Sequence, residues 1–230
     1  MTAAYVALWE LDGVGGTVVA IDVLRAFMTA AYAFAGGASE IFLVAGVEEA
    51  IALRDEIPGA VAMGELHGRR PDGFDLSNSP VAAARADLEG RSVVQRTSAG
   101  TQGVVAATGA DRLFAASLVC ASATAAAVEA AGLGAPTYVI TGRFPDAPDG
   151  GADDLATAQL IERARLGEPL ESASTARFVA ASEEAERTLA VGDGHVHPDD
   201  IALATEVDRF DFAMEVERAD GRLRMRRRTP

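Results

Sequence analysis

Ser92-Val93-Val94-Gln95-Arg96-Thr97-Ser98-Ala99-Gly100-Thr101-Gln102-Gly103 begins as a short apolar β-type run. It opens into hydroxyls and glycines just before the alanine-rich Val104-Val105-Ala106-Ala107. A strand that turns through such residues into a helix is one βα unit of an α/β fold. The same turn can offer backbone N–H groups, hydroxyls and the positive end of a helix to one small anion. Two readings stand side by side: a phosphate cradle built on Thr97, Ser98, Gly100 and Thr101, or an ordinary turn whose Thr and Ser cap the helix.

Upstream of this unit, residues 6–9 read as an edge strand. Residues 17–21, Thr-Val-Val-Ala-Ile, read as a strand buried on both faces and ending on Asp22. A helix is expected over 24–35, closed by Gly36-Gly37, then a strand over 40–44, a helix over 47–56 with acids in its first turn, and a strand over 60–63 ending at Gly64-Glu65. Periodicity lapses over 67–76, and a loop of that length inside a compact domain is usually functional. Ser79 and Pro80 then mark the cap and first residue of a helix running to about residue 88.

Downstream, strands are expected over 113–116 and 137–140, the latter leading to Thr141-Gly142-Arg143, with a helix between them over 122–131. Asp153-Asp154 opens a helix reaching about residue 165. One polar helix is expected over 175–189, and a shorter one, capped by Pro198-Asp199-Asp200, ends near residue 207. The Asp220-Gly221 signal joins 210–217 to 223–227 as a hairpin. The whole, 1–230, reads as a single α/β domain: a three-layer α/β/α arrangement with a mixed, mostly parallel sheet and a C-terminal β-hairpin.

With 49% hydrophobic and 6% aromatic residues the 230-residue chain is globular and aliphatic. Every one of its 20 Lys+Arg positions is an arginine, and 34 acidic residues leave a net charge of −14. Nucleic acid and anionic membrane are therefore not expected as partners. Without lysine there is no Schiff-base, P-loop or kinase-type lysine chemistry. The lone Cys120 forms no internal disulfide, the N-terminal Met1-Thr2-Ala3-Ala4-Tyr5 lacks a basic signal region, and no apolar segment is long enough to span a bilayer. A cytoplasmic location is expected, with a homodimer among the possible assemblies.

In such a sheet, ligands bind outside the carboxyl ends of the strands. Those ends carry Asp22 and Arg25, Glu65, the segment from Arg96 to Thr101, and Arg143; Asp75 and Asn78 follow the long loop, and Asp153 and Asp154 start a helix. Several carboxylates facing a hydroxyl-rich loop suit a hard cation such as Mg²⁺ bridging to substrate phosphate. Two arginines add forked donors for phosphate, carboxylate or sulfonate oxygens. Each acid also has a structural reading, Asp22 as a helix cap, Glu65 as a solvated loop acid, and Asp153 and Asp154 as first-turn acids.

Other phosphatase signatures fail. Asp22-Val23-Leu24 lacks the second aspartate of the aspartyl-phosphate hydrolases, and Ala126 stands where a cysteine phosphatase built on Cys120 needs arginine. The GxGxxG dinucleotide fingerprint is missing, and His67, His195 and His197 make no zinc spacing with Cys120, so they are taken as surface or packing residues.

Ile21-Asp22-Val23-Leu24-Arg25-Ala26, Gly64-Glu65, Gly73-Phe74-Asp75-Leu76-Ser77-Asn78-Ser79-Pro80, Thr97-Ser98-Ala99-Gly100-Thr101, Asp153-Asp154-Leu155-Ala156 and His197-Pro198-Asp199-Asp200 together resemble, in order, the motifs of the 2-phosphosulfolactate phosphatases. The resemblance implies a three-layer α/β fold, Mg²⁺, and hydrolysis of the phosphate ester of sulfolactate on the route to coenzyme M. It implies Asp22, Glu65, Asp75 and Asp154 around metal and phosphate, with Asp22, Glu65 and Asp154 as metal ligands. It further implies Asp22, Arg25, Asp75, Asn78 and Arg143 as catalytic or substrate-orienting residues, and the Thr97 to Thr101 loop on the phosphate. The chain departs from the family in that loop, where Ser98 and Ala99 replace a threonine and an asparagine, and in 67–72, which is less glycine-rich. The main expectation is a Mg²⁺-dependent phosphomonoesterase for a small phosphorylated acid. The alternatives are a non-catalytic binder of such a metabolite, or a phosphatase of the same fold with another small substrate.

Overall fold

The computed structural model describes residues 2–229; Met1, with which the N-terminal reading begins, and Pro230 lie outside them. In chain order the strands are β1 (Ala4–Val6), β2 (Thr17–Ile21), β3 (Glu40–Leu43), β4 (Val61–Gly64), β5 (Leu76–Ser77), β6 (Ser92–Arg96), β7 (Arg112–Ala116), β8 (Thr137–Ile140), β9 (Ala213–Ala219) and β10 (Arg222–Arg228). The helices are α1 (Ala26–Ala35), α2 (Val47–Glu56), α3 (Pro80–Arg85), α4 (Gly100–Ala106), α5 (Ala121–Ala131), α6 (Ala152–Arg165), α7 (Ser172–Ala180), α8 (Glu183–Ala190) and α9 (Asp200–Ala204).

All ten strands join one sheet in the order β1-β8-β2-β7-β9-β10-β3-β6-β4-β5. Pairing is parallel on both flanks and antiparallel at β7/β9, β9/β10 and β10/β3. Three reversals mean that β2, β7 and β8 run one way and β3, β4 and β6 the other. The expected mixed sheet and C-terminal hairpin are both present, but the hairpin sits in the middle of the sheet as the seam between two parallel halves.

Alternation along each strand sends side chains to two faces. Val18 and Ala20 of β2, Ile41 and Leu43 of β3, Met63 of β4 and Val93 of β6 meet in one core around α1. Val19 and Ile21, with Phe114, Tyr138 and Ile140, turn the other way to pack with α5 and α6, while Phe42, Ala62 and Val94 pack with α2. The sheet therefore has a helix layer on each face. At about 4.8 Å per step, β2 and β6 would stand about 24 Å apart on a flat sheet. Since both contribute to the core around α1, the sheet curls about that helix, nine of whose residues are buried.

This curl positions the site. A twist of about 20–25° at each of the five steps from β2 to β6 turns the strand direction by roughly 100–125°. That rotation offsets much of the reversal, and the carboxyl ends of the two half-sheets converge. The junction is close: a Cβ on Gly100 would stand 2.6 Å from the Ala26 Cβ and 2.7 Å from an Asp22 oxygen, and one on Gly103 2.7 Å from the Thr141 Cγ2. Glycines one turn apart thus let α4, which follows β6, lie against the ends of β2 and β8.

Local expectations that differ have local causes. The strand expected over 6–9 stops at Val6, because Leu8–Glu10 winds into a short 3-10 turn in which the Glu10 carboxylate accepts from the Ala7 N–H. The single helix expected over 175–189 is two, α7 and α8, because Ser182 breaks the run and its hydroxyl accepts from the Ala185 N–H as the N-cap of α8. Among the described residues no helix is long and apolar enough to cross a membrane.

Candidate active site

A pocket of about 330 Å³ opens where the half-sheets converge, lined among others by Asp22, Arg25, Glu65, Asn78, Ser98, Asp153 and Asp154. Asp22 leaves the buried end of β2, and its Oδ1 accepts from the Ala26 N–H at 2.8 Å. The helix starts later than a cap at Asp22 requires, with Arg25 as its N-cap residue, so Asp22 braces the first amide of α1 from four residues upstream and also lines the pocket. Asp154, in the first turn of α6, accepts from the Val23 N–H at 2.9 Å with one oxygen and from the Gly142 N–H at 2.8 Å with the other. These bonds tie α6 to the ends of β2 and β8.

Glu65 ends β4 in the opposite half. Its carboxylate accepts from the Ser98 N–H, from the Ser98 hydroxyl at 3.0 Å and from the Gly68 N–H at 2.6 Å. The glutamate expected to be solvated at worst is thus buried and clasps the loop after β6.

Within that loop Thr97 and Thr101 turn inward. The Thr101 N–H donates to the Thr97 Oγ1 at 3.0 Å, and the Thr97 N–H to the Thr101 Oγ1 at 2.8 Å. These hydroxyls brace the start of α4, while Ser98 and Ala99 face the pocket and Gly100 packs on Asp22.

Arg25 is buried and held by protein acceptors: His195 O at 2.8 Å, Asp200 Oδ2 at 3.3 Å and Gly68 O at 3.3 Å. Asp200 in turn accepts from the Ser79 hydroxyl at 2.6 Å and the His197 N–H at 3.0 Å. The 67–80 segment and the His197-Pro198-Asp199-Asp200 motif are joined through this one carboxylate. The Leu24–Arg25 peptide bond is cis.

Two expected residues are placed elsewhere. Asp75 is exposed, accepting from the Ala62 N–H at 2.8 Å and from Arg54 at 3.1 Å, and Arg143 does not line the pocket. His67, taken as a surface or packing residue, lines it, as do Glu184, Arg187 and Thr188, which were not singled out. The Glu184 Oε1 accepts from the Gly151 N–H at 3.0 Å, capping α6 from α8.

Burial first, with Glu65 pushing the same way, lifts the Asp22 carboxyl to about 6 against the pull of the Ala26 and Gly100 amides. Burial and then Glu184 lift Asp153 to about 7, and burial, Asp153 and Asp22 hold Asp154 well above the usual carboxylate range. The crowding is electrostatically costly, and a cation would relieve it. Oxygen donors of this kind fit a hard ion. Among the described residues no group of three or more acidic, histidine or cysteine side chains is placed to hold one ion.

Residues 5–218 match the model of a family described as 2-phosphosulpholactate phosphatase. Over 200 residues, 86% of each chain, the sequence is 34% identical to a Bacillus subtilis (strain 168) protein named probable 2-phosphosulfolactate phosphatase. A protein of the same name from Thermus thermophilus is 36% identical over 145 residues, 63% of this chain and 59% of that one. Another, from Carboxydothermus hydrogenoformans, is 41% identical over 108 residues, 47% of this chain and 44% of that one.

Proposed function

Because the chain belongs to the 2-phosphosulpholactate phosphatase family, we propose that the pocket hydrolyses the phosphate ester of a small, multiply anionic three-carbon acid, 2-phosphosulfolactate being the substrate its relatives' names indicate. The observation that carries the reading is the meeting, at one pocket, of Asp22 and Asp154 from one half-sheet with Glu65 and Ser98 from the other.

Among the described residues the lining holds the acids Asp22, Glu65, Asp153, Asp154 and Glu184 against the arginines Arg25 and Arg187. Positive charge entering with an anionic ester would offset this excess of acids. Asp22, Glu65 and Asp154 would share a Mg²⁺ ion between direct ligation and bonds through its waters, and the ion would supply charge neutralisation at the phosphoryl oxygens.

The chain's own residues do the rest. Amide bonds fix Asp22 and Asp154, so they orient the phosphoryl group with little freedom to relax away from it. Ser98 and Ala99, on the loop braced by Thr97 and Thr101, form the wall against which the phosphate rests. Asp153 is buried in the lining and takes no side-chain hydrogen bond from another segment of the described chain, which leaves its carboxylate free to accept a proton from the attacking water. The water oxygen bonds to phosphorus, the ester P–O bond breaks, and the leaving alkoxide takes a proton from solvent while Asp153 returns to solvent the proton it accepted, giving inorganic phosphate and the hydroxy acid. Asn78, buried with an Oδ1 unpartnered among the described residues, and the buried Arg25 complete the lining.

Phosphate release from a panel of small phosphate esters, with and without Mg²⁺, tests the reading. Preferential turnover of 2-phosphosulfolactate with metal is expected; binding without turnover of any ester would establish a non-catalytic binder instead.

A further inference from the structure

The face that α8 turns to the pocket was invisible while 175–189 read as one polar helix. Glu184, Arg187, Thr188 and Val191 all line the pocket, and their spacing of three, four and seven residues places them on one side of a helix. Glu184 caps the first amides of α6 at 3.0 and 3.3 Å, which locks the rotation of α8 about its axis. With that rotation locked, Arg187 sits at the mouth.

Arg187 differs from the other arginine of the lining. Arg25 is spent on His195, Gly68 and the buried Asp200. The Arg187 side chain is 66% exposed, and its ion pair is to Glu183, itself 78% exposed, at 2.7 Å. A surface pair of this kind is worth little, so the guanidinium can turn from Glu183 to a better anion at small cost. Arg143, expected with Arg25 to hold the acid groups, does not line the pocket. Ser98 and Ala99 come from the β6 side, whereas α8 approaches from the α6 side, so a phosphate near Ser98 leaves the far end of a three-carbon acid facing α8.

Resting on the phosphatase reading above, we infer that Arg187 is a specificity-determining residue that receives the sulfonate or carboxylate end of the substrate in its planar fork. α8 is then the element that distinguishes an acid-bearing phosphate ester from a plain one.

The test compares the parent, Arg187→Ala and Arg187→Lys on 2-phosphosulfolactate and on glycerol 2-phosphate, an ester with no second acid. Arg187→Ala is expected to lose at least tenfold more kcat/KM on the acid ester than on the plain one, chiefly in KM, and Arg187→Lys to recover part of that loss. Equal losses on both esters, or none on either, overturn the inference. Because Arg187 is exposed, the variants should fold. If the parent hydrolyses neither ester, the phosphatase reading fails, and calorimetric titration with sulfolactate decides the arginine by itself. A tenfold or greater weakening in Arg187→Ala supports the inference, while equal binding by parent and variant, or none by the parent, overturns it.

Discussion

Arg25 and Asp200 stand 175 residues apart in the chain and meet at 3.3 Å with side chains 3% and 0% exposed. Removing one member of a buried pair leaves the other charged and uncompensated, at a cost of about 3–5 kcal/mol. Asp200 also receives Ser79 and His197, so the loss is not confined to one bond. Asp200→Ala is expected to lower the melting temperature by roughly 6–20 °C, at about 2–4 °C per kcal/mol for a chain of this size. A melting curve within 2 °C of the parent would show that the pair contributes nothing net.

Asp22→Asn separates bracing from chemistry. Asparagine keeps an acceptor for the Ala26 N–H, and it caps helices about as well as aspartate. The variant is expected to melt within a few degrees of the parent while turnover falls about a hundredfold, or about 3 kcal/mol of transition-state stabilisation. An unchanged rate in the folded variant would leave Asp22 as a brace alone.

Metal dependence has a readout besides turnover. Chelator-stripped chain is expected to be inactive, and Mg²⁺ at a hundred times its Kd should add about 2.7 kcal/mol to unfolding, raising the melting temperature by roughly 5–11 °C. The shift should shrink in Asp154→Asn. Full turnover after stripping, together with no thermal shift, would rule out the ion.

Gly100→Ala tests the junction of the half-sheets. The added methyl would press on the Ala26 Cβ and on Asp22. Overpacking costs about 1–3 kcal/mol, and because the displaced group is a pocket carboxylate, turnover is expected to fall by more than the stability loss explains. Parent-like activity would mean that Asp22 tolerates displacement.

Much of the fold was legible because its signals are local. The apolar run of β2 and the acidic first turn of α2 announce themselves within a few residues, as does Ser79 with Pro80 at the start of α3. The reversal of the two half-sheets was not, because it depends on β9 pairing with β7 and β10 with β3, partners more than 95 positions away. The site divides the same way. Asp22, Glu65 and Asp154 each follow or precede an element in an obvious way, so their place at a strand or helix end could be read directly. Arg187 could not be found so, since a helix face has meaning only once its neighbour is known, and Asp75 was misplaced because nothing nearby shows that Ala62 and Arg54 claim its carboxylate.

The position of the β9–β10 hairpin bears on biosynthesis. Made after the other eight described strands, it is nevertheless, among the described residues, what connects β7 to β3 in the sheet. On the ribosome, the nascent chain holds two half-sheets whose inner edges carry unpaired backbone groups until residues 213–228 emerge, and such edges invite pairing with other chains. The candidate pocket, which draws on both halves, therefore depends on a segment translated after both of them. A message broken before that segment yields a sticky fragment and no partial enzyme.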